Sequence, residues 1–216
     1  MVGLLRNLKN LSDPDALAFC YADTIWPERP KDFRNSWTAY YLEMEKLAAR
    51  VMKIFACALK LENNYFDQYI NAPISALRAL NYPEQKVPPK ERQLRAGAHS
   101  DYGSLTILLP QQGSTGLEIL SRNGEWLPVP IIPDTFVINI GDLMAMWTND
   151  RWVSTVHRVV NSESLKKRQS FAYFHQPNWF SEIQCLSSCL KKGEQPKYPT
   201  TYSGPYLMSK FKSTTQ

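Results

Sequence analysis

The chain has 216 residues, 44% of them hydrophobic and 21% charged, which is enough apolar material for one full core and excludes a disordered or fibrous protein. Its net charge of +5 sits in short runs such as Lys166-Lys167-Arg168 and Lys191-Lys192, which read as solvated surface; without a recognition module, no nucleic-acid partner is expected. No apolar run is long enough for a membrane span, and Cys20, Cys57, Cys185 and Cys189 show neither zinc spacing nor a leader sequence, so they read as reduced thiols of a cytoplasmic protein.

The first stretch, residues 1–72, reads as helical. From Asn35 onward Trp37, Tyr41, Met44, Ala48, Val51, Phe55 and Ala58 recur at helical spacing, with no glycine or proline between them. One long helix with a single apolar stripe follows, a scaffold that packs against a sheet, with Pro27 and Pro30 punctuating its approach. Residues 73–182 read as strands: 77–82, 104–109, 117–120, 135–140, 153–160 and 169–175 are short and apolar or β-branched. Turn signals separate them, among them Gln112-Gly113-Ser114-Thr115-Gly116 and Arg122-Asn123-Gly124-Glu125. Many short strands joined by turns point to a jelly roll or barrel. Residues 183–216 carry few periodic signals and read as a short helix with a frayed tail over 213–216. The three stretches form a single domain, mainly β with flanking helices.

The chemistry is carried by His99-Ser100-Asp101 together with His157, two of the chain's 3 histidines and one carboxylate. His-x-Asp with a distant His is the donor set of a facial triad, which holds one face of an Fe(II) ion and leaves the other open. An extended strand points residues two apart to the same face, so His99 and Asp101 are expected to reach one ion from one strand. Arg168-Gln169-Ser170 repeats that spacing. A guanidinium fork and a hydroxyl on one strand face suit a carboxylate, although Arg168 also continues the basic run of Lys166 and Lys167.

Taken with Asn81-Tyr82-Pro83, the run from Ala98 to Leu109, Gly116-Leu117-Glu118-Ile119, the run from Phe136 to Leu143 and the run from Ser154 to Val160, these motifs resemble the Fe(II)/2-oxoglutarate-dependent dioxygenases of the isopenicillin N synthase-like group. The resemblance implies a double-stranded β-helix (jelly roll) with the metal near its open end, backed by the long N-terminal helix. It implies Fe(II) on His99, Asp101 and His157, and the distal carboxylate of 2-oxoglutarate on Arg168 and Ser170. Tyr82 sits where related enzymes often place a hydroxyl on that carboxylate; an ordinary strand aromatic is the other reading. With O2, such a site oxidises a small organic molecule, with hydroxylation the expected outcome, and releases succinate and CO2. Family members usually carry a longer N-terminal region, which this chain is expected to lack; an exposed strand edge would then admit a homodimer. Two alternatives stay open: an oxidase that uses no 2-oxoglutarate, and a non-catalytic or truncated binding protein.

Other motifs read as structural. Asn139-Ile140-Gly141-Asp142 reads as a strand followed by a tight turn, with Gly141 supplying a permissive backbone. His175, seven residues beyond Arg168, is expected on the opposite strand face. Trp147, Trp152 and Phe174 are candidates for pocket walls or, one by one, for core.

Overall fold

A computed structural model describes residues 13–20, 24–161 and 166–214. The expected scaffold helix is α2 (Phe33–Ala58), which follows the short α1 (Pro14–Cys20). Tyr41, Met44, Ala48, Val51, Met52 and Ala56 form its buried face. The helix stops in a Schellman arrangement: Lys60 turns left-handed at φ 58° and donates to Cys57 O, while Leu61 donates to Ala56 O at 2.9 Å. Lysine takes the place usually filled by glycine there.

Two four-stranded antiparallel sheets follow. The first runs in the order β1 (Ala76–Tyr82), β8 (Arg168–His175), β3 (Leu105–Pro110), β6 (Val137–Ile140). The second runs β2 (Ala96–His99), β7 (His157–Val159), β4 (Leu117–Leu120), β5 (Trp126–Pro128). Long-range pairing of this kind, rather than a simple meander, is the jelly-roll pattern. The strand period of two sorts each strand's side chains between two faces. On the first sheet Leu77, Leu105, Ile107 and Tyr173 join the core under α2, where the Tyr41 and Tyr173 rings meet edge to face at 5.4 Å. The alternate residues Arg78, Leu80, Tyr82, Thr106, Asn139, Arg168 and Ser170 face a cavity shared with the second sheet.

All six expected strands are present, within a few residues, but two are shorter. The expected strand 153–160 contracts to His157–Val159, and 135–140 to Val137–Ile140. The three-residue β5 and the two-residue pair β9 (Glu182–Ile183) and β10 (Thr201–Tyr202) are too short to carry a period. The expected tight turn after β6 is instead the start of α3 (Asp142–Trp147), with Gly141 as its N-cap. Gly141 has extended backbone at φ −101°, so a permissive conformation is not its role. Its role is space: a Cβ there would run into the main-chain oxygen of Gly103. The C-terminal stretch holds a full helix, α4 (Ser203–Thr214), where only a short helix was expected. Its last turn covers 213 and 214, which the sequence reads as frayed, and 215–216 lie outside the described residues. Cys57, Cys185 and Cys189 are free thiols; the Cys20 side chain is outside the described set.

Candidate metal and carboxylate site

Strand β2 ends at His99, so Asp101 lies in the loop beyond it rather than on the same strand. The common-strand argument for His-x-Asp therefore gives way to a loop, which is anchored elsewhere. Asp142 N donates to Asp101 O at 2.8 Å, and Gly141 N to Ser104 O at 3.0 Å, tying the loop to the cap of α3. His157 comes from β7, paired opposite His99 across the ladder.

One ligand atom from each of His99, Asp101 and His157 lies within 4.8 Å of the other two. The two imidazole rings are 4.3 Å apart, and His157 Nε2 stands 3.8 Å from Asp101 Oδ1. Each imidazole has its Nδ1 beside a main-chain carbonyl, Gly97 O at 2.7 Å for His99 and Thr155 O at 3.1 Å for His157. Donation from Nδ1–H leaves Nε2 with a free lone pair, the tautomer a metal needs. Asp101 is only 6% exposed, and its Oδ2 accepts from Asn139 Nδ2 at 2.8 Å. The donor set is therefore converging, pre-oriented and mixed nitrogen and oxygen, which fits a divalent iron.

The cavity between the sheets, about 260 Å³, joins this cluster to Arg168 and Ser170 on β8. Both are almost fully buried. Tyr82 is Arg168's register partner, and the Arg168 Cζ lies 5.3 Å from the Tyr82 ring centre. Arg168 Nε is buried and, among the described residues, has no hydrogen-bond partner. Burial pulls this guanidinium down from its usual value; Tyr82 opposes the shift and Arg95 adds to it. Among the described residues no carboxylate pairs with this buried cation, and its Nε is bare, so this end of the cavity suits an incoming carboxylate.

All six expected site residues, His99, Asp101, His157, Arg168, Ser170 and Tyr82, thus line one cavity. Phe174 lines it as well, whereas Trp147 lies in the core and Trp152 packs on Phe55 at 5.0 Å between ring centres. His175 is fully inside the protein, as its odd offset implied; its Nδ1 sits 2.6 Å from Ser104 Oγ. Asn139, read in sequence as the structural end of a strand, also lines the cavity, as do the arginines Arg78 and Arg95, which carried no reading there. Arg78 shares the parity of Tyr82 on one strand, a signal that was available. Arg95 lies just before β2 and carries no period.

Comparison with known proteins agrees with this geometry. Residues 64–177 match the family described as the 2OG-Fe(II) oxygenase superfamily. The 2-oxoglutarate-Fe(II) type oxidoreductase hxnY of Emericella nidulans is 38% identical over 179 residues, covering 81% of this chain and 51% of that protein. A full-length Neurospora crassa protein, solved in complex with alpha-KG and 5-formyluracil, superposes with a TM-score of 0.81 at 34% identity, over 87% of this chain and 63% of that one. A 2OG-Fe(II) oxygenase family protein from Caulobacter crescentus gives a TM-score of 0.83 at 32% identity, over 92% and 65%. The chain spans about half the length of the curated relatives it matches. The match covers more than half of this chain and takes in both the converging donors and the buried carboxylate end, and the chain accordingly belongs to the 2OG-Fe(II) oxygenase superfamily.

Proposed function

We propose that this chain is the catalytic core of an Fe(II)- and 2-oxoglutarate-dependent dioxygenase that hydroxylates a small organic molecule and releases succinate and CO2. The observation that carries the reading is the buried, unpartnered Nε of Arg168 in the same cavity as three converging metal donors. A metal site alone would not need a buried cation within the same walls. His99, Asp101 and His157 hold the iron, which, with 2-oxoglutarate and O2, supplies the oxidising power for an unactivated C–H bond. Arg168 and Ser170 hold the distal carboxylate of 2-oxoglutarate, with Tyr82 bracing the guanidinium from the facing strand. Asn139 fixes the Asp101 carboxylate through Oδ2. The apolar walls of the cavity keep water from the reacting centre and fix orientation, which is the protein's share of the work in such chemistry.

The isopenicillin N synthase-like subgroup and a cytoplasmic location belong to the same reading. So does a homodimer, for which β6 offers an edge with Phe136 and Ile138 exposed and which sedimentation would register. The deciding experiment is an anaerobic titration with Fe(II) and then 2-oxoglutarate, following the visible charge-transfer band of the chelated complex. A band that is lost in both His99→Ala and Arg168→Ala supports the proposal. Iron binding with no band in the unaltered protein overturns it and leaves an oxidase or a binding protein.

A further inference from the structure

A second cavity of about 270 Å³ adjoins the first and shares Arg78, His99, Asp101 and Phe174 with it. Its other walls combine the rings of Phe19, Tyr102 and Phe211 with aliphatic side chains, and Ser100 and Gln176 are their polar members. Phe19 from α1 meets Phe211 from α4 at 4.8 Å between ring centres, and Tyr102 meets Phe211 edge to face at 6.0 Å. Two polar side chains in this wall stand without partners among the described residues. Arg78, exposed on the inner face of β1, makes no hydrogen bond or ion pair. Gln176 is 4% exposed, yet its Oε1 has no partner.

A buried amide oxygen left bare costs free energy unless a donor arrives, and a free guanidinium beside aromatic rings is a natural carboxylate anchor. Lys210, near Tyr102, is already engaged with Asp142 at 3.1 Å, so it does not compete for the same anion. Accepting the oxygenase reading above, we infer that the substrate is a small planar-ring acid: Arg78 takes its carboxylate, Gln176 takes a ring or substituent donor, and the aromatic walls take the ring beside His99 and Asp101. Arg78 and Gln176 are thereby specificity-determining residues, separate from the pair Arg168 and Ser170 that holds the co-substrate.

The test uses benzoate as probe, with benzamide as its neutral isostere and cyclohexanecarboxylate as its non-planar counterpart. Binding to the full chain is read by calorimetry in the presence of 2-oxoglutarate and an inert divalent metal, so no turnover is required. Benzoate is expected to bind better than either comparator, and Arg78→Gln is expected to weaken it by about tenfold or more, the scale of one charged hydrogen-bonded pair. Arg78 is at the surface, so this variant is expected to fold, and its unchanged affinity for 2-oxoglutarate is the control. Gln176→Leu, judged by the same control, is expected to weaken only acids that carry a donor on the ring, such as hydroxybenzoate. The inference is overturned if benzoate fails to bind at millimolar concentration, if benzamide binds as well, or if Arg78→Gln leaves benzoate unaffected. Loss of 2-oxoglutarate affinity in Arg78→Gln also overturns it, by assigning Arg78 to the co-substrate. Failure of 2-oxoglutarate to bind the unaltered chain is a different result, because it removes the oxygenase reading itself.

Discussion

Asn139 is the residue whose role differs most from its appearance in the chain. Its Nδ2 holds the Asp101 oxygen that His157 does not approach, so it sets the orientation of the one anionic donor. Removing such a partner of a metal ligand usually costs about 10–100-fold in metal affinity. Asn139→Ala is therefore expected to weaken divalent-metal binding on that scale in calorimetry, with little change in the fold. His175 makes a contrasting case, a buried histidine outside the cavity. Burial lowers its pKa to about 4, against 6.5 for the free side chain. Between these two values the unfolded chain binds a proton that the folded chain refuses. Stability is then fully present above pH 6.5 and falls on acidification until pH 4. The loss amounts to about 3 kcal/mol. Denaturant unfolding of the metal-free protein across this range is expected to show that slope, and His175→Gln to flatten it.

At the level of elements, β8 explains why Arg168 and Ser170 could be read from sequence. An eight-residue strand paired on both sides repeats its period long enough to fix which residues face in. The opposite parity puts Tyr173 and His175 on the other face of β8, so His175 is excluded from the site by geometry that a residue count already contains. The segment from Asp101 to Asp142 behaves differently. Gly103 and Gly141 pack backbone against backbone, and this contact brings the cap of α3 to the loop that carries Asp101. Gly141→Ala must push these segments apart. We expect a stability loss of about 1–3 kcal/mol in thermal unfolding. Metal affinity should fall as well, because Asp142 N is bonded to Asp101 O. A simple loss of turn conformation would lower stability and leave the metal site alone.

Across the whole molecule, the residues of the site come from both sheets. Arg168 and Ser170 lie on one, His99 and His157 on the other, and Asp101 in the loop between β2 and β3. The sequence by itself determined the long helix, the six main strands and five residues of the candidate site, because periods of 3.6 and two and the choice of donor residues are local properties; Tyr82 came in through the family resemblance. It also determined which face of β8 carries the guanidinium fork of Arg168. Only the tertiary structure decided how these pieces meet. A loop, not a shared strand, delivers Asp101; Gly141 is there for closeness to Gly103; and Asn139, Arg78 and Gln176 acquire roles from neighbours far away in the chain. The very short strands β5, β9 and β10 and the helix α3 were likewise decided there, since two or three strand residues, or less than two turns of helix, show no clear period and are held by long-range partners. Contacts between distant segments depend on how two sheets pack, and no local pattern encodes that distance.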